Sequence, residues 1–123
     1  MEFQQKHAIY LQIANHICEK ILSNEWNTGD KIPSIREMAV NIEVNPNTIV
    51  RAYNYLEEKN IITKTRGVGY FVSNDALKTT RGLKKQSFLS QEFPLLFKTM
   101  DLLNVDLSEL QQLYHQFKQE NNV

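Results

Sequence analysis

Two helix-start signals stand at positions 34 and 45, and only Asn41 to Val44 lie between the helices they open. The first is Ser34 followed by Glu37, directly after Pro33. Such a capping box satisfies two orphan N–H groups reciprocally, so a helix is expected from Ser34. Ile35, Met38, Ala39 and Ile42 recur at three- and four-residue spacing and form its buried stripe, leaving Arg36 and Glu37 outside. The second signal is Asn45 as an N-cap with Pro46 at the first helical position, where a missing N–H costs nothing. Ile49, Ala52, Tyr53 and Leu56 supply the inner stripe of that second helix. Asn47, Thr48, Val50, Arg51 and Asn54 are therefore turned outward. A connection this short forces the sharp angle of a helix-turn-helix, whose second helix presents its N-terminal side chains to a major groove. Glu43 is unusual in such a turn, because glycine commonly takes a left-handed conformation there. A glutamate forced into it would cost about 1 kcal/mol, so a slightly remodelled turn is expected.

Beyond the second helix, Asn60 suits a left-handed cap, and two β-prone runs, Ile61 to Thr65 and Tyr70 to Val72, flank Arg66-Gly67-Val68-Gly69. That is a hairpin with a flexible, basic tip. Beside a helix-turn-helix it is a wing that reaches phosphates or the minor groove next to the major-groove contact. Tyr70, following the tip, either packs on the sheet or touches the sugar-phosphate backbone. The expected fold is mainly α with a small β-hairpin: a winged helix-turn-helix over residues 1–74, then a short α-helical dimerisation tail over 75–123.

These motifs also carry a resemblance. The run Gly29-Asp30-Lys31-Ile32-Pro33-Ser34, then Arg36-Glu37-Met38-Ala39, Asn45-Pro46-Asn47-Thr48, Arg51-Ala52-Tyr53, Leu56-Glu57 and Gly67-Val68-Gly69-Tyr70-Phe71-Val72 resembles the GntR family of bacterial transcriptional regulators. The likeness extends over roughly residues 7 to 73. The Asn-Pro-Asn-Thr variant and the short tail look like the YtrA subfamily, whose members lack a large effector domain and often regulate ABC-transporter operons. The resemblance implies DNA contact by Arg36, by Asn45 through Thr48, by Arg51, and by the wing around Arg66, Gly67 and Gly69. Many members carry arginine at the positions of Pro46 and Val50, so those particular base contacts do not transfer. Val50 is instead suited to a thymine methyl, and Asn47 to an adenine edge or to capping. Ser34 and Asn45 have complete explanations as caps, yet capped helix N-termini are themselves phosphate sites.

With fourteen basic and fourteen acidic residues the chain has zero net charge, which argues against a bulk electrostatic DNA binder. The sign is sorted locally: Lys31, Arg36, Arg51, Lys64 and Arg66 map to the DNA side, while Glu19, Glu25, Glu57 and Glu58 lie on or beside the first and third helices. No apolar run approaches the ~20 residues of a membrane span, and the N-terminus lacks a signal-peptide pattern, so a cytoplasmic protein is expected. The single cysteine, Cys18, excludes an intrachain disulfide and reads as a packing thiol beside the stripe Ile9, Ile13, Ile17, Ile21. His7, His16 and His115 have no second ligand at metal spacing. Gly67-Val68-Gly69 leads into a strand and is too short for a nucleotide loop. Tyr10, Tyr53 and Tyr55 read as core and rim aromatics. No catalytic set stands out, and no enzyme, cofactor or metal is expected.

In the tail, Asp75 is placed to cap a helix ending near Lys85. Leu89, Phe93, Phe97, Met100 and Leu103 then form one apolar face, and Leu107, Leu110, Leu113, Tyr114 and Phe117 a second after the N-cap signature Asp106 with Glu109. Pro94 demands either a helix start near Phe93 or a bend. Short helices with this much apolar surface cannot bury it among themselves. Either the tail packs on its own winged helix, or it meets a second copy. A two-fold homodimer also fits an inverted-repeat operator on double-stranded DNA, and is the reading adopted. So thin a tail does not enclose a pocket of ~300 Å³ without walls from a dimer interface, so no dedicated small-molecule effector site is expected. The reading is thus a DNA-binding repressor of its own or a neighbouring transport operon. The rival is a winged helix used for protein–protein contact without DNA.

Overall fold

The computed structural model describes residues 8–121; His7 lies outside them. In chain order the elements are α1 (Ile9–Leu22), β1 (Lys31–Ile32), α2 (Ile35–Ile42), α3 (Pro46–Glu58), β2 (Ile62–Thr65), β3 (Gly69–Val72), α4 (Ala76–Ser87), a π-helical turn (Phe88–Glu92), α5 (Phe93–Leu103) and α6 (Leu107–Asn121). The architecture is mostly helical with one small antiparallel sheet, as the patterning implies. They fall into two compact units, one ending at Leu83 and one beginning at Lys84.

The helix starts in the first unit are built as their sequences dictate. The Ser34 side chain accepts from the Glu37 N–H at 3.0 Å, and the Glu37 carboxylate accepts from the Ser34 N–H at 2.9 Å. The Asn45 side chain accepts from the Asn47 N–H at 2.7 Å, with Pro46 opening α3. Ile49, Ala52, Tyr53 and Leu56 are fully buried along α3. They meet Met38 and Ala39 of α2 and Ile13, Ala14, Ile17, Cys18 and Ile21 of α1 in one core. The Cys18 thiol is buried, as its helix position implies.

Four details depart from expectation. Glu43 takes the left-handed conformation outright, at φ 55° and ψ 51°, so the turn is not remodelled. Its N–H points at the carbonyls of Ala39 and Val40, and the Val44 N–H closes on the Ala39 carbonyl at 3.1 Å. Satisfying those carbonyls helps offset the ~1 kcal/mol of steric strain. Secondly, the wing is not a lone hairpin. β1 joins as a third strand in the order β1-β3-β2, pairing Lys31 with Phe71 and Ile32 with Tyr70, which buries Ile32. Thirdly, Ile9 and Ile42 are exposed rather than stripe residues, because the buried face of α1 is rotated toward Ala14 and Cys18 and α2 ends at Ile42. Finally, the first unit continues past residue 74: Ala76 and Thr80 of α4 are fully buried and Leu77 and Leu83 pack against the core.

Within the second unit, the π-helical turn directly precedes Pro94, which sits in the first turn of α5. Pro94 has no N–H and its ring would crowd the carbonyl of Ser90, and the wider turn removes that conflict. α5 ends at a left-handed Asn104, with the Val105 N–H on the Met100 carbonyl at 2.9 Å. The Asp106 carboxylate caps α6 by accepting from the Glu109 N–H at 2.9 Å. Phe88, Phe93 and Phe97 stack edge to face at 4.9 and 5.6 Å. Even so, no residue of α5 or α6 is buried. Leu103 and Leu107 are 68% and 71% exposed, and an open apolar groove of about 530 Å³ runs between Phe88, Phe93, Leu96, Leu107, Leu110, Gln111 and Tyr114. Among the described residues no helix is long and apolar enough to cross a membrane.

Candidate nucleic-acid interface

A part-buried hydrogen bond ties the middle of α3 to the chain just before α2. The Tyr53 hydroxyl on α3 donates to the Pro33 carbonyl, just before the Ser34 cap of α2, at 2.7 Å. Its ring is fully buried and meets Tyr70 of β3 edge to face at 4.9 Å and 75°. Burial first, then the neighbouring Tyr70 and Glu37, holds the Tyr53 phenol well above the usual tyrosine pKa, so it stays a neutral donor. One aromatic side chain therefore ties together the turn before α2, the second helix and the wing.

Around that anchor the outward residues are arranged as follows. Asn47, Arg51 and Asn54 are exposed on α3, with Thr48 and Val50 half-buried between them. Arg36 projects from the first turn of α2, and Ser34 and Pro46 lie at the helix openings. In the wing, Thr65 pairs with Gly69 across a tip in which the Val68 N–H reaches the Thr65 carbonyl at 2.9 Å. Gly67 has φ 77°, a conformation side chains rarely adopt, so the tip requires glycine there. At Gly69 a Cβ would come within 3.0 Å of the Lys31 side chain, so the β1 lysine lies across the base of the wing tip. Lys31, Lys64 and Arg66 are all exposed, and the Lys64 ammonium sits 5.8 Å from the Tyr70 ring.

Tyr70 was a candidate backbone contact and is instead a core residue, only 8% exposed. The β-strand period directs it inward with Val72, opposite Phe71. Tyr10, by contrast, makes a contact that rim packing alone does not describe. The Arg51 guanidinium lies over its ring at 4.2 Å, and the Tyr55 ring braces it edge-on at 6.4 Å and 67°. The helical period in 10, 13, 14, 17, 18, 21 would have placed Tyr10 on the inner face of α1. Nothing local in the sequence points to its pairing with position 51. Among the described residues no group of histidine, cysteine, aspartate and glutamate side chains is placed to hold a metal ion.

Comparison with known proteins identifies the fold. The family model for bacterial regulatory proteins of the gntR family matches residues 9–72. The chain is 37% identical to the HTH-type transcriptional repressor YtrA of Bacillus subtilis over 102 residues, 83% of this chain and 78% of that protein. It is 45% identical over 75 residues to the transcriptional regulator YhcF of the same organism, a match spanning 61% of this chain and 62% of YhcF. Among solved structures, a GntR-family regulator from Bacteroides thetaiotaomicron superposes with a TM-score of 0.79 at 38% identity, covering 93% of this chain and 99% of that one.

Proposed function

This chain belongs to the GntR family of bacterial regulatory proteins, in its YtrA-like branch, and from that membership we propose that it is a repressor binding an inverted-repeat operator as a homodimer. Its relatives are transcriptional regulators and it is not an enzyme. The observation that carries the proposal is the exposed N-terminal face of α3, fixed through Tyr53 to the capped start of α2 and flanked by cations from α2 and the wing. In this reading Asn47, Thr48, Val50 and Arg51 meet base edges in the major groove. Arg36 and the helix openings at Ser34, Asn45 and Pro46 hold phosphates. Lys31, Lys64, Arg66 and the glycines Gly67 and Gly69 follow the adjacent backbone or minor groove. Tyr70 supports them from the core.

The tail is the dimerisation device in this proposal. Its support is the apolar faces of α5 and α6, which carry no buried residue in a single chain. Two copies set two recognition helices about 34 Å apart, or a multiple of it, as an inverted repeat requires. A dimer offers ten of the named cations. With about six to eight on phosphates, log affinity falls with log salt at a slope near −5 to −7. The resemblance to the YtrA subfamily, whose members often regulate ABC-transporter operons, supports a transport operon as the target.

Fluorescence anisotropy with a short duplex from the protein's own promoter region, beside a scrambled duplex at two salt concentrations, tests the proposal. Salt-sensitive binding that discriminates the two by ~10³-fold supports a specific regulator. Weak and equal binding favours the rival use of the winged helix as a protein contact module, which zero net charge keeps in play. Light scattering on the eluted protein tests the dimer, and a monomer at tens of micromolar counts against it.

A further inference from the structure

We propose that Tyr10 is a positioning residue for sequence readout: it holds the Arg51 guanidinium in the orientation that meets a base edge, an inference that rests on the DNA-binding reading above. Arg51 is exposed on the outward side of α3, and its guanidinium carbon stands 4.2 Å from the Tyr10 ring centroid. Stacking uses the face of the planar group, whereas the paired N–H donors that read guanine O6 and N7 lie along its edge. The aromatic ring therefore restrains the arginine without consuming its donors.

The platform is itself packed in place. Tyr10 is half-buried on α1 above Ile13 and Ala14, which are in the core, and the Tyr55 ring meets it edge-on at 6.4 Å. Arg51, Tyr55 and Lys59 follow one another at four-residue spacing on one face of α3. The Lys59 ammonium lies 5.7 Å from the Tyr55 ring, so cation, ring, ring and cation form one line along the helix. An arginine on an exposed helix otherwise samples many rotamers, and ordering it on binding costs affinity. Tyr10 removes part of that cost in advance, and it does so from a helix that does not itself belong to the helix-turn-helix.

The test uses the full chain and a duplex enriched by in vitro selection from a random-sequence pool with the wild-type protein. Tyr10→Leu, which keeps apolar bulk but removes the ring, should weaken binding about two- to tenfold, the cost of immobilising one rotamer-rich side chain on binding. Tyr10→Phe should bind as the wild type. In an Arg51→Ala background Tyr10→Leu should have no further effect, and both single variants should relax preference at the same base pair of each half-site. Without DNA, the Arg51 side-chain methylene proton resonances should be ring-current shifted in the wild type and Tyr10→Phe, and unshifted in Tyr10→Leu. Equal weakening by Tyr10→Leu in both backgrounds, or none in either, overturns the role of Tyr10 alone. A wild type that enriches no duplex overturns the DNA reading and this proposal with it, whatever the proton shifts.

Discussion

Replacing Tyr53 by phenylalanine removes one oxygen from the middle of the first unit, and the consequence can be worked out from the contact it makes. The phenol donates to the Pro33 carbonyl at 2.7 Å from a fully buried ring. Phenylalanine keeps the ring and its edge-to-face contact with Tyr70, so no large cavity opens. What is lost is the net hydrogen bond, about 1 kcal/mol, plus part of the cost of an orphaned carbonyl. Pro33 is only half-buried, so the sum is set at about 1.5 kcal/mol rather than the upper range. In urea, with a slope of roughly 1–1.5 kcal/mol/M for so small a unit, the midpoint should fall by about 1 M at pH 7. The alkaline limb gives a second, independent signature. Because the folded-state pKa is raised, the folded protein keeps a proton that the unfolded chain releases above pH ~10. The stabilisation is thus complete below pH 10 and lost as pH rises through and beyond it, at about 1.4 kcal/mol per pH unit until the folded phenol titrates. The wild-type advantage over Tyr53→Phe should therefore shrink from pH 9 and vanish near pH 11. A difference under ~0.5 kcal/mol at pH 7, or a gap that stays constant between pH 9 and 11, would refute the reasoning.

Three further outcomes are expected. Glu43→Gly relieves the left-handed strain of about 1 kcal/mol at a chain-entropy cost of roughly 0.5–1, so thermal melting should stay level or rise by a few degrees; a lower melting temperature would count against it. Thr80 is fully buried with no partner for its hydroxyl among the described residues, so Thr80→Val should leave stability unchanged or raise it by up to ~1 kcal/mol, measured by urea denaturation. Arg36→Ala should weaken binding to specific and scrambled duplexes alike and make the salt slope shallower by about 1 per protomer, read by anisotropy across a salt series; a loss confined to one sequence would instead assign Arg36 to base reading.

Residue order alone determined the features that close within a few positions. Ser34 with Glu37, Asn45 with Asn47, and Asp106 with Glu109 each satisfy their hydrogen bonds locally, so their partners stand three or fewer residues away in the sequence. The inner stripe of α3 is equally legible, because a period of 3.6 residues repeats over its whole length. Even the need for a special turn at Glu43 could be read, though not that the glutamate would accept the strain unaltered. Contacts across the chain were decided elsewhere. β1 is only Lys31–Ile32, too short to carry a period, and exists because β3 offers it an open edge. The inward turn of Tyr70, the tether from Tyr53 to Pro33, and the seat of Arg51 on Tyr10 all depend on where separate elements come to rest. Local chemistry specifies where a helix begins and which face is apolar, whereas the free energy of assembling those faces in three dimensions selects which side chain covers which.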